Sequence, residues 1–375
     1  MHSKHLNLIH VGLHNSINKN AGDTVLFETV RTTFNFFISN INWKQQQLWE
    51  DFTVKDLENI NNSFDGIVIG GGGLLLRDQE GSNTSQSGWQ WNSSVDSIKK
   101  IQTPMIIFAI GYNRFRNQQD FDPIFSRHIN LLAKKSKFFG LRNSGSIESL
   151  KKYLDNDLST KLTRQFCPTT ILWQLYPKYR NLAKKHDLGN HKVLTFNPAL
   201  DRTKFRFANN IDIVLKNIIR GLKIATDRGW RIIIVAHKSI DKNIEPILKE
   251  QNISYQMVNL TDATSEKIIK FYSKIDLAIG MRGHSQMIPF GLRRPIMSII
   301  SHDKMKFFLE DINKLEWGVE ADSFEFEEKL KQKLLLIEKS RVEIHEEIAI
   351  AQQKIWEETK KNFDKIKRFL NKNNI

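Results

Sequence analysis

Asp65-Gly66-Ile67-Val68-Ile69-Gly70-Gly71-Gly72-Gly73-Leu74-Leu75-Leu76 is a short apolar, β-branched run that passes directly into four consecutive glycines. A run of this length predicts a buried strand, and the glycines permit positive φ angles and close backbone approach where it ends. No Gly-Lys-Ser/Thr follows, as a P-loop would require, and the contiguous glycines lack the spacing of a dinucleotide fingerprint. The stretch therefore speaks against nucleotide hydrolysis and dehydrogenase chemistry.

Outward from this strand the same rhythm repeats. Leu6 to Val11 reads as a first strand, Thr24 to Phe37 as a helix, and Met105 to Ile110 as a further strand. A polar stretch, His186 to His191, precedes a second set of apolar runs at Lys192 to Phe196, Arg231 to Val235, Ile275 to Ile279 and Pro295 to Ile300. Strands alternating with helices predict an α/β fold with mainly parallel sheets. Two such units, residues 1–184 and 191–320, would face a cleft between their strand carboxyl ends, where ligands of open α/β sheets bind. From Phe324 to Leu370 the pattern changes: Leu330, Leu334, Ile337, Ile344, Ile348, Ala351, Ile355, Phe363 and Ile366 recur mostly at spacings of three and four. This predicts amphipathic helices over residues 321–375 that pack one face on the domains.

Composition bounds the partners. The 375 residues are 40% hydrophobic and 26% charged, which suits two globular domains. The formal net charge of +15 favours anionic partners: phosphorylated substrates, nucleic acid or an acidic membrane face. No basic run interleaved with aromatics, and no zinc or RNA-recognition motif, supports nucleic acid. The apolar run behind His2, Lys4 and His5 is too short and too broken for a signal segment, and no stretch reaches the roughly 20 apolar residues of a membrane span. The single cysteine, Cys167, leaves no internal disulfide, and a cytoplasmic setting is expected. The basic surplus would also suit peripheral contact with an anionic membrane.

Three strand-to-helix junctions carry candidate chemistry. Asn18 to Thr24 lies between the first strand and its helix, where backbone amides can face an anion; the plain alternative is that Asp23 or Thr24 caps the helix. Phe138 to Ser146 places Arg142 just after a strand, where it can grip a carboxylate or phosphate bidentately or form an inter-element salt bridge. Ile275 to Ser285 is a strand ending in a glycine-rich turn that presents Arg282 and His284, a pairing suited to phosphate handling; a histidine at a helix start can equally be structural. In the loop Glu80 to Asn92, Trp89 and Trp91 offer either a stacking platform for a sugar or buried packing.

Taken in order, these segments resemble the polysaccharide pyruvyl transferase family. The resemblance rests on Asn20-Ala21-Gly22-Asp23, on Gly70 to Gly73 after Asp65-Gly66, on Gly140-Leu141-Arg142-Asn143 through Ser146, and on Arg282-Gly283-His284. Gly291 to Ile296, Asp303-Lys304, Ala236-His237 through Asp241, and Cys167-Pro168-Thr169 extend it. Asn143 stands where the family usually has an acid, which weakens any carboxylate role there. The resemblance implies a fold like the two Rossmann-like domains of GT-B glycosyltransferases, with phosphoenolpyruvate as donor, a sugar diol on a nucleotide or lipid carrier as acceptor, and a cyclic pyruvate ketal as product in cell-surface polysaccharide biosynthesis. Neither a cofactor nor a metal is needed in that scheme.

On that scheme His284 would protonate the donor, Arg142, Arg282 and Lys304 would hold its charges, and Asp23 or Glu28, on the opposing wall of a closing cleft, would deprotonate the sugar. Asn20, Gly22, Gly71, Gly72, Gly73, His237 and Lys304 are the expected binding positions. Two alternatives stay open: a GT-B glycosyltransferase using a nucleotide sugar, and a non-catalytic binding protein on the same fold.

Overall fold

The computed structural model describes residues 5–13, 20–77, 83–187 and 192–371. The linker expected at His186 to His191 and the start of the loop at Glu80 fall largely outside them, as do Asn18 and Lys19.

The first half holds a six-stranded sheet of β1 (Leu6–Gly12), β2 (Ile41–Gln47), β3 (Gly66–Leu75), β4 (Met105–Tyr112), β5 (Ser136–Leu141) and β6 (Leu162–Arg164) in the order β2-β1-β3-β4-β5-β6. The second half holds β7 (Val193–Asn197), β8 (Arg231–Ala236), β9 (Gln256–Asn259), β10 (Leu277–Gly280), β11 (Ile296–Ile300) and β12 (Gly318–Glu320) in the order β12-β11-β10-β7-β8-β9. Every strand pair is parallel, so helices must cover both faces of each sheet. That covering is why β4 and β11 are buried along their whole length and mainly apolar, with Ser298 of β11 a polar exception, instead of alternating. The strand order reverses between β1 and β3 in the first sheet and between β7 and β10 in the second, which opens a crevice at each carboxyl end. The two crevices face one another.

The glycines expected to end the third strand instead continue it. β3 runs through Gly70 to Gly73 to Leu75, paired to β4 with a register shift between Gly72 and Leu75. Gly71 takes φ +82°, and a Cβ there would lie 2.9 Å from Leu26 Cγ, so the glycines let the helix Ala21–Phe37 sit close on the sheet.

The carboxyl-terminal segment forms two helices, Phe326–Lys339 and Arg341–Asn371. The first packs on the helix Ile211–Asp227 of the second half, where Gly221 leaves room for Leu330 and Phe326. The long one returns to the first half. Gln352 Nε2 donates to the carbonyls of Thr170 (3.1 Å) and Phe290 (2.7 Å), one from each half. Phe363 then stacks on Phe37 at 4.3 Å and meets Phe34 and Phe108. No described helix is long and apolar enough to cross a membrane.

Candidate active site

A cavity of about 110 Å³ lies where the two crevices meet, lined by Arg142, Arg202, Arg206, Lys238, Arg282 and Lys304 against Asp23 and Asp201, the only carboxylates among the described residues that line it. Asn20, Gly73, Asn113, His237 and His284 complete the wall with other residues of both halves. A larger groove of about 640 Å³ beside the long helix is charged too. There Arg164 is held by Asp311 and Glu358, and Lys314 by Glu347. Paired charges leave that groove no excess field for an anion.

Arg142 follows β5 and is only 4% exposed. Gly111 of β4 makes room for it, since a Cβ there would lie 2.1 Å from the Arg142 Nε. Its Nε and Nη2 find no hydrogen-bond partner among the described residues. A buried guanidinium left unsatisfied is costly, which marks it as a group waiting for an anion. Asn143, in the acid's place, caps the helix Ser144–Lys151 by accepting from Ser146 N at 2.7 Å. The substitution therefore serves the helix and supplies no carboxylate.

Arg282, expected to grip substrate, is already engaged. Its Nε donates to Asp241 Oδ2 at 3.1 Å, its Nη2 pairs with the same carboxylate, and its Nη1 lies 3.0 Å from Asp201 Oδ1. Asp241 also accepts from the amides of His237 and Lys238. Burial works to raise the Asp201 carboxyl, but Arg282, Arg206, Lys238 and Arg202 outweigh it and hold it below the carboxylate range. Arg282 is thus part of a fixed ionic scaffold. Arg202, at the edge of that scaffold, takes a left-handed φ of 51°, a conformation a non-glycine residue adopts at a cost.

Lys304 lies in the first turn of the helix Asp303–Asp311, and its Nζ donates to Asn113 Oδ1 at 2.8 Å. Asn113 in turn donates to the Gly73 carbonyl at 3.0 Å, so one chain of hydrogen bonds crosses between the halves. Burial and the neighbouring cations Arg142 and Arg206 push the Lys304 ammonium well below its ordinary pKa.

His284 starts the helix His284–Gly291 and touches the first half. A Cβ on Gly22 would lie 2.6 Å from His284 Cβ and Nδ1, so only glycine admits the ring there. Asp23 Oδ1 lies 3.6 Å from Nδ1. Burial raises the Asp23 carboxyl, while burial, Arg142, His237 and Lys304 push the imidazole well below the ordinary histidine value. Burial thus favours the uncharged form of both groups. Asp23 and His284 form one unit, not opposed groups, and Glu28 lies exposed on the same helix, outside the cavity lining.

Other expected positions divide. Gly73 lines the cavity; Gly71 and Gly72 do not, because they pack beneath the helix Ala21–Phe37. Asn20 and Gly22 serve the start of that helix, Asn20 Oδ1 accepting from Gly22 N at 3.0 Å. The Ala21 amide donates across the halves to the His237 carbonyl at 3.0 Å, so two of the amides at this helix end are already engaged within the protein. His237 reaches the cavity wall, its Nε2 within 2.7 Å of Tyr272 Oη, with its pKa lowered by burial to about 4. Trp89 and Trp91 are wholly buried, and Trp89 Nε1 donates to His128 at 2.9 Å; they are core residues, not a sugar platform. Asp201, Arg202, Arg206 and Asn113 were missed, although Pro198 to Arg206 follows β7 as Arg282 follows β10.

A profile of the polysaccharide pyruvyl transferase family matches residues 17–303, more than three quarters of the chain and every cavity-lining residue named above except Lys304. The chain belongs to the polysaccharide pyruvyl transferase family. No curated protein matches this chain in sequence. Solved structures match its fold: HepE from Anabaena in complex with UDP-glucose (9% identity, TM-score 0.57, 97% of this chain and 100% of that one); MnaA from S. aureus with UDP (10%, 0.53, 92% and 91%); and the wall teichoic acid polymerase TagF (11%, 0.51, 99% and 90%). At these identities the likeness is one of architecture, and that architecture is GT-B-like.

Proposed function

We propose that this pyruvyl transferase moves the pyruvyl group of phosphoenolpyruvate onto two hydroxyls of a sugar, forming a pyruvate ketal on a cell-surface polysaccharide or its precursor. The observation that carries the reading is Arg142, a buried guanidinium with open hydrogen-bonding groups in a cavity of six cations and two carboxylates. Phosphoenolpyruvate brings a carboxylate and a phosphate on three carbons, and such an anion is what this field would hold. Arg142 takes one charged end and Lys304, with Lys238, the other, while Arg282 stays on Asp201 and Asp241.

Ketal formation begins with a proton added to the methylene carbon, which makes C2 electron-poor. A sugar hydroxyl adds there and loses its proton; a second hydroxyl then displaces the phosphate, which leaves carrying that hydroxyl's proton, and the ring closes. Asp23, its carboxyl raised by burial, is suited to give the first proton and recover one from the first hydroxyl. His284, neutral and 3.6 Å away, stabilises the carboxylate in the interval.

Titration with phosphoenolpyruvate tests this reading: the wild type binds it, and Arg142→Ala binds it about 30- to 150-fold more weakly. Equal binding by both, or none by the wild type, would remove it. The likeness to HepE holding UDP-glucose keeps a nucleotide-sugar donor as the second reading, and release of a nucleoside diphosphate would identify it. Peripheral attachment to an anionic membrane through the basic surplus belongs to the proposal as well; vesicles rich in anionic lipid should carry the protein on flotation in low salt.

A further inference from the structure

Cys167 is the chain's only cysteine and takes no part in the steps above. It stands before the turn Pro168–Ile171, buried, behind His284 as seen from the cavity and not among the cavity-lining residues. Its Sγ lies 3.7 Å from His284 Nε2 and 3.1 Å from Thr169 Oγ1. On the other side of the ring, Nδ1 faces Asp23 Oδ1 at 3.6 Å. Thr169, Cys167, His284 and Asp23 thus form one file from the core to the cavity, where Arg142 waits with Nε and Nη2 unpartnered.

We propose that Cys167 is a positioning residue: its thiol donates to His284 Nε2 and so fixes the tautomer that turns Nδ1–H toward Asp23. A neutral imidazole has one donor and one acceptor nitrogen, and the partner of one decides the state of the other. Asp23 accepts at Oδ1 both as a carboxylic acid, with its proton on the other oxygen, and as a carboxylate, so the Nδ1–H tautomer satisfies it in either state, whereas the reverse tautomer would aim a lone pair at the carboxylate once the proton has gone. The S–H then has Nε2 as its acceptor, and the Thr169 hydroxyl donates to sulfur. Burial keeps the thiol protonated by raising its pKa, and keeps the imidazole neutral by lowering its own. The assignment rests on Asp23 being the proton-transferring group of the proposed reaction.

The test is nitrogen NMR of protein labelled with 15N-histidine, the His284 signals being those lost in His284→Gln. In the wild type Nδ1 should show the shift of a protonated nitrogen and Nε2 that of an unprotonated one. Cys167→Ala should move both toward a mixture of tautomers, and Cys167→Ser, which keeps a donor, should lie between; if the alanine variant does not fold, the serine variant carries the comparison. A protonated Nε2 in the wild type, or an unchanged spectrum in the variants, would overturn the proposal. In the turnover assay Cys167→Ala should lower kcat about tenfold at unchanged KM for phosphoenolpyruvate. A protein that turns over no phosphoenolpyruvate sinks the functional reading, while the tautomer measurement still decides the role of Cys167.

Discussion

Arg142 holds its guanidinium in place without an acceptor for Nε or Nη2 among the described residues, so its removal should cost substrate binding more than stability. Arg142→Ala is expected to weaken phosphoenolpyruvate binding by about 2–3 kcal/mol, the worth of a charge-assisted pair, with little change in melting temperature; calorimetry reads both. Lys304 adds a proton signature. Burial and its cationic neighbours hold its pKa down, and a bound trianion reverses the neighbours' effect, so binding should take up protons, seen as a dependence of the binding heat on buffer ionisation enthalpy. Gly22→Ala should abolish turnover, since its Cβ would collide with His284. Arg142, Asp23 and His284 were legible because each sits where a strand or helix end must face the cleft. The engagement of Arg282 was not, because its partners Asp201 and Asp241 lie 81 and 41 positions away and only the fold joins them.

Among the elements, the long helix Arg341–Asn371 carries the clearest prediction. Phe363, fully buried among Phe34, Phe37 and Phe108, ties it to the first sheet, and Phe363→Ala should destabilise the protein by about 3–5 kcal/mol, measured by urea unfolding. Helical spacing showed that this segment has an apolar face, and Phe363 and Ile366 lie on it. It could not show that the helix leaves the second half and ends on the first, because periodicity names a buried face and not what covers it. β3 shows the same limit. Its apolar start was plain, but glycine read as a strand end, whereas pairing with β4 carries the strand on to Leu75.

Across the whole molecule the two halves are held together around the cavity. Arg116 of the first half pairs with Asp303 (2.6 Å) and bidentately with Glu320 of the second, and Ser144 N donates to Asp311 at 2.9 Å. Buried histidines set the acid limit of this arrangement. His128 and His237 fall from 6.5 to about 4, and His284 and His302 are lowered as well. Burial is the chief cause in each. In the unfolded chain they take up protons near pH 6.5, while in the folded protein they do so only at lower pH, so their contribution is present above 6.5 and lost as the pH falls toward 4. Asp23, raised, acts in the opposite sense but is one group against four. Melting temperature should therefore drop between pH 7 and pH 5; a constant value would contradict the buried, neutral state of these rings. The alternation of strands and helices made this two-sheet architecture legible, while the clasp between the halves needed the fold. The most direct test of the central claim is turnover with phosphoenolpyruvate and a panel of nucleotide- and lipid-linked sugars, following phosphate and the acceptor's mass. Acceptor-dependent phosphate, with a mass gain of one pyruvate less one water that Arg142→Ala and Asp23→Asn both lose, is the predicted result. A nucleoside diphosphate released from a nucleotide sugar in place of phosphate from phosphoenolpyruvate would contradict it.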